Sequence, residues 1–267
     1  MKIDAGSLLD YLKVTLENLS DHAEEHPQLM CMALRMDEIF QKEIFSQEFD
    51  ASPAASLLAM NSYTLLLSAV QQALSGHIVA VFPVVRTALE SACYAYLIAH
   101  NKDMEKIWIN RHVSKSTLQE CRNMFSVKKA SAQLKEISPE MAEYLIACYD
   151  ATIDFGAHPN RRSVFNHVKA IHKVDDIYRG LELTGVYGRN SWHVNYGLIV
   201  CTEIGQAIAF LLAASSKNHP LIHNRLEVFQ AWLEETNNMI DSFNGEPINY
   251  EGPMYSSVKS TQKKSLD

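Results

Sequence analysis

Residues 77–99 and 194–214 are apolar runs long enough to cross a bilayer. Each nevertheless carries groups that hydrocarbon rejects: Pro83, Arg86 and Glu90 in the first, Asn195, Glu203 and Gln206 in the second. A run of this kind is accommodated as a helix covered on all sides by other helices. The expectation is therefore a soluble all-α protein with these two runs at its centre and no membrane partner. With 267 residues, 47% of them hydrophobic, the chain can build one sizeable core.

Strand signals are nearly absent, since no sustained apolar/polar alternation is bounded by turn residues. Helix starts are better marked. Ser52-Pro53 and Ser138-Pro139 read as an N-cap followed by proline at the first helical position, and His26-Pro27 and His219-Pro220 are weaker versions. These signals predict helices near 6–22, 28–47, 53–74, 81–100, 103–127, 139–153, 192–216 and 220–243, forming a single multi-helix bundle over residues 1–243. Residues 244–267 have the composition of a mobile tail.

Arg86 and Glu90 stand one helical turn apart. Val79, Phe82, Cys93 and Leu97 fall within about 40° of Arg86 on a helical projection. Val84, Val85, Leu89, Ala92, Tyr96 and Ile98 occupy the other sides, so the pair is expected inside the bundle. Two readings follow. The pair is a satisfied ion pair that sets how neighbouring helices register, or one member faces a polar pocket. On the second long run, Thr202 and Gln206 each fall within about 20° of Asn195, with Glu203 further round. Solvent exposure is expected for that stripe.

The segment 155–193 departs from this regularity. It holds four of the ten glycines, four of the nine arginines and four of the eleven histidines. Polar irregular segments on a rigid scaffold are where binding and catalysis concentrate, which makes this the first candidate for a site. It is also the shape of a solvated crossover with a short helix near 174–182. The residues selected for ligand binding are Arg86, Glu90, His158, Arg162, His167 and His193.

Residues 1–50 hold eleven Asp/Glu against four Lys/Arg and carry the whole net charge of −7. An acidic chain argues against a general nucleic-acid binder. A local exception is 102–135, with eight Lys/Arg against three Asp/Glu. Arg111, Lys115, Arg122 and Lys129 form a stripe within about 40° if the helix from 103 is continuous. It could bind RNA phosphates, dock the acidic N-terminal helices, or border the apolar face of Met104, Ile107, Leu118 and Phe125 with solvated heads.

Five cysteines without paired spacings do not form a disulfide framework, and Cys93, Cys148 and Cys201 read as core thiols. Asp4 and Asp10 interrupt the first apolar stretch, so no signal peptide is expected and the cytoplasm is the expected compartment. His22-Ala23-Glu24-Glu25-His26 has the H-x-x-E-H spacing of one zinc peptidase class, but Pro27 biases His26 away from helix. No metal or cofactor is expected: there is no Glu-x-x-His of the di-iron type, Gly-rich phosphate loop, C-x-x-C or nucleophile elbow.

Arg162-Ser-Val-Phe-Asn-His167 presents an arginine, four intervening residues and a histidine, and Arg161 to His167 leaves five. With Arg-x-x-x-Glu in an earlier apolar helix, the chain resembles the bacterial all-helical HEPN-like proteins over about residues 80–215, many of them uncharacterised or defence-associated. The resemblance implies a homodimer and a metal-independent ribonuclease site. His167 would be the general base on a ribose 2′-hydroxyl, and Arg162 would stabilise charge on the phosphate. The family favours Asn, Asp or His directly after the arginine, whereas Arg162 is followed by Ser163. Arg189-Asn190 has that follower but reaches His193 after only three residues. The sequence supports two functions: a helical binding protein for a small polar ligand or a protein partner, and a HEPN-like ribonuclease.

Overall fold

The computed structural model describes residues 6–47, 51–159, 161–165, 167–171, 180–188, 191–216 and 218–243. The expected tail from residue 244 lies outside the described residues, as do 172–179 of the short helix expected near 174–182. The chain is an all-α multi-helix bundle. Its helices are α1 (Leu8–Glu24), α2 (Met30–Ile39), α3 (Pro53–Leu74), α4 (Ile78–His100), α5 (Lys102–Ile109), α6 (Lys115–Met124), α7 (Val127–Leu134), α8 (Pro139–Thr152), α9 (Arg161–Phe165), α10 (Trp192–Ala214), α11 (Pro220–His223) and α12 (Leu226–Asp241). Wider π turns extend α2 through Phe40–Phe45 and α8 through Ile153–Ala157.

The starts follow from local chemistry. Ser7 and Asp10 make a capping box, each accepting the other's main-chain N–H, at 3.2 and 2.9 Å. Ser52 and Ser138 cap α3 and α8 with Pro53 and Pro139 at the first turn, as expected. His219 caps α11, its Nδ1 accepting the Leu221 N–H at 3.2 Å. Pro83 lies inside α4, which begins five residues earlier at Ile78.

The helix expected over 103–127 is three helices. Asn101 caps α5, Ser114 accepts the Thr117 N–H at 3.1 Å to start α6, and Ser126 accepts the Lys129 N–H at 3.3 Å to start α7. Each serine redirects the main chain into a new helix, so Arg111, Lys115, Arg122 and Lys129 do not share one helical face. A second difference lies in the polar segment, where β1 (Val168–Ile171) pairs antiparallel with β2 (Gly180–Leu183), Val168 opposite Leu183. The strand at 180–183 replaces the end of the short helix expected near 174–182.

The axis of the bundle is α10. Every residue from Gly197 to Ala214 is buried, against α2, α3, α4, α8, α11 and α12. The fully buried Leu66, Val85, Leu89, Ile204 and Ile208 lie in this core, each contributing roughly 1.5–3 kcal/mol by leaving water. By length and composition alone α3, α4 and α10 could each cross a membrane. Other helices cover 94% of the most apolar window of α10, so protein rather than lipid meets its apolar surface.

Burial extends to the polar residues of α10, against the expectation of solvent exposure for Asn195, Thr202, Gln206 and Glu203. Neighbouring helices supply partners to Asn195 and Gln206. Asn195 Oδ1 accepts the Leu29 N–H at 2.9 Å at the start of α2, and Gln206 Nε2 donates to Thr236 Oγ1 of α12 at 2.9 Å.

Candidate functional site

The Arg86–Glu90 pair lies at the margin of the bundle rather than deep inside it, the two side chains being 22% and 33% exposed. The face of α4 that carries them packs on α8 and its terminal π turn. Arg86 uses three donors. Nε donates to Glu90 Oε1 at 3.0 Å, Nη2 to the Tyr149 hydroxyl at 2.9 Å, and Nη1 meets His158 Nε2 at 2.8 Å. The guanidinium carbon also lies 5.1 Å from the centre of the Tyr149 ring. Burial alone would weaken the Arg86 charge, but Glu90 and Tyr149 offset it and hold the group above its ordinary range.

Arginine cannot accept a hydrogen bond, so His158 must present its Nε2 lone pair to Nη1, which leaves the proton on Nδ1. The π turn Ile153–Ala157 brings His158 back to α4. Gly156 is required there, because a Cβ would lie 2.8 Å from the Phe82 ring. Ser163 of α9 then holds the turn by donating to the His158 carbonyl at 2.9 Å.

A second cluster forms where the β1–β2 hairpin returns to α10. The Thr184 N–H donates to the His167 carbonyl at 2.9 Å, extending the ladder by one bond. His167 Nδ1 lies 2.6 Å from the Tyr187 hydroxyl, and the Tyr187 ring stacks on His193 at 3.8 Å between centres. Burial lowers the pKa of His167 and raises that of Tyr187. Trp192 stacks on Tyr196 at 5.0 Å, and Tyr196 meets Phe82 and Phe155 at 6.3 and 6.2 Å. An aromatic ladder thus runs from the histidine cluster to the helical turn before Arg86.

Of the residues selected from sequence, Arg86, Glu90 and His158 meet in one cluster, and His167 and His193 in the other. Arg162 lies on α9, and its side chain is outside the described residues. Sequence reasoning missed Tyr149 and Tyr187. Neither carries a local signal, because each acts on a residue at least 20 positions away.

Glu203 is a third feature, on the face of α10 toward α8. It is 9% exposed, and burial pushes its carboxyl up to about 8, so it is protonated at neutral pH. Its charge would act on Cys148 and Tyr196, which places the carboxyl close to both. Beside it the Tyr144 hydroxyl lies 3.1 Å from the Glu203 carbonyl and 3.2 Å from Gln206 Oε1.

Among the described residues no group of three or more His, Cys, Asp or Glu side chains could hold a metal ion. In the H-x-x-E-H stretch α1 ends at Glu24, leaving His26 off the helix, and His22 Nδ1 donates to the Leu74 carbonyl at 2.6 Å. No family model, curated protein or solved structure matches this chain.

Proposed function

We propose that the chain is a cytoplasmic helical binding protein whose α4–α8 margin receives a small ligand rich in hydrogen-bond acceptors, such as a carboxylate, phosphoryl or carbonyl group. The observation that carries this reading is the state of the hydrogens around Arg86. Three of its five N–H groups are committed. Tyr149 accepts from Arg86 through its oxygen and keeps its own hydrogen to donate. His158 accepts through Nε2 and keeps an N–H at Nδ1. The two remaining Arg86 N–H groups, the Tyr149 hydroxyl and His158 Nδ1 are uncommitted donors, and Glu90 cancels the charge that would otherwise hold any anion indiscriminately. Recognition then rests on directional bonds.

Native mass spectrometry of the purified chain, followed by thermal shift with phosphate, dicarboxylates and nucleotides, tests this reading. Tyr149→Phe keeps the ring over Arg86 and removes only the hydroxyl. A retained or stabilising acceptor-rich molecule that is lost from Tyr149→Phe and His158→Ala supports the assignment. Equal behaviour of all three proteins overturns it. Stabilisation follows mass action, about 2.7 kcal/mol at a hundredfold excess over Kd.

The HEPN-like ribonuclease is a second reading, favoured by the bond between Tyr187 and His167 Nδ1, which leaves Nε2 as the nitrogen available for proton transfer. RNA cleavage that survives both Arg162→Ala and His167→Ala would exclude it.

A further inference from the structure

Helix α1 is attached with its polar side inward. Thr15, Asn18 and His22 are its buried residues. Asn18 Nδ2 donates to the carbonyls of Ser75 and Tyr187, each at 3.0 Å, His22 Nδ1 donates to Leu74, and the Tyr11 hydroxyl lies 2.9 Å from His77 Nδ1. Its leucines point the other way: Leu8, Leu9, Leu12 and Leu16 are 71%, 76%, 44% and 65% exposed. Leu9, Leu12, Leu16 and the half-buried Leu19 follow the alternating three- and four-residue spacing of a coiled-coil seam, so the stripe is straight along the helix. The capping box at Ser7 starts the helix just before that stripe.

The remaining face identifies the occupant. It carries Asp10, Glu17, Asp21 and Glu24 against Lys13 alone. Helices that lie on membranes carry lysine and arginine there, so an anionic lipid surface would repel this one. A seam of leucines at heptad spacing is complementary to itself. The stripe covers on the order of 500 Å² of apolar surface, the size of the largest patch on a typical monomer, which is often a functional surface. Pairing it with its own copy would bury about 1,000 Å² in all, the lower limit for a specific interface.

We infer that two copies of this chain pair through α1, leucine stripe against leucine stripe, in a two-fold homodimer. The inward face of the same helix holds the Tyr187 carbonyl, and the Tyr187 hydroxyl meets His167.

The test is the molar mass of the full chain by light scattering after size exclusion, with vesicle flotation alongside. The variants are Leu9→Glu/Leu16→Glu on the stripe and Leu57→Glu, an exposed leucine of α3 (67% exposed), as the control. The expected result is a dimer for the wild type and for Leu57→Glu, and a monomer with unchanged helical circular dichroism for Leu9→Glu/Leu16→Glu. A wild type that stays monomeric at about 100 µM, a stripe variant that stays dimeric, or a monomer that floats with vesicles each overturns the inference.

Discussion

The side-chain amide of Asn18 donates to the main-chain carbonyl of Tyr187, joining α1 to a loop 169 residues further along the chain. Gly76 makes room for this bond. It has a φ of +81°, a Cβ on it would lie 2.0 Å from the Tyr187 oxygen and 2.8 Å from Asn18 Nδ2, and its carbonyl accepts the Tyr187 N–H at 2.9 Å. One glycine thus lets α1, the end of α3 and the Tyr187 loop converge.

Gly76→Ala is therefore expected to release this junction. The left-handed backbone alone costs about 1–2 kcal/mol for a residue with a Cβ, and the collision with main-chain oxygen adds to it. Urea unfolding should show the loss, and limited proteolysis should cut between α1 and α2 faster than in the wild type. Equal stability and equal cleavage would mean that the three segments are held by other contacts.

Glu203 predicts an unusual pH dependence. Burial raises its carboxyl from 4.5 to about 8, so between these values the folded chain holds a proton that the unfolded chain has released. Stability contributed by this group is complete below about pH 4.5 and is lost as pH rises through about 8, with a slope of up to about 1.4 kcal/mol per unit. Glu203→Gln stays neutral throughout. Its unfolding free energy should lack this slope between pH 5 and 8 and exceed that of the wild type at pH 8.5. Parallel curves for the two proteins would show that Glu203 is ionised in the fold.

The Arg86 cluster is expected to contribute less to stability than a fully buried ion pair would. Both side chains keep contact with water, so Arg86→Ala should cost about 1–2 kcal/mol rather than the 3–5 kcal/mol of a pair broken in a dry interior. A double-mutant cycle with Tyr149→Phe should return a coupling above about 0.5 kcal/mol, because the two groups share a hydrogen bond. Additive losses would show that the bond contributes nothing in solution.

How much of this could be read from the chain depends on the range of the interactions. The central position of α4 and α10 follows from the apolar runs alone, and Ser52-Pro53 and Ser138-Pro139 mark two helix starts through contacts within three residues. Ser114 and Ser126 were missed because a capping serine in a polar stretch looks like any exposed helical serine. The hairpin was missed because four-residue strands are too short for alternation to register. For Asn195, Thr202 and Gln206 the helical projection gave the shared face but not which helices cover it. That Arg86 reaches His158 and Tyr149 depends on how α4, α8 and the π turn lie in space, which no local pattern encodes.

Thiol reactivity checks the core directly. Cys93, Cys121, Cys148 and Cys201 are buried, and burial pushes all four thiols up, so they carry little reactive thiolate at neutral pH. Cys31 is exposed on α2, its sulfur 3.7 Å from Met239 Sδ. An aromatic disulfide reagent at pH 8 should therefore label Cys31 alone in the native chain and all five cysteines in urea. Cys31→Ser should abolish the native reaction while leaving four thiols to react after unfolding. Rapid native labelling of Cys148 or Cys201 would mean that α8 and α10 separate readily, and the buried environment assigned to Glu203 between them would then fail as well.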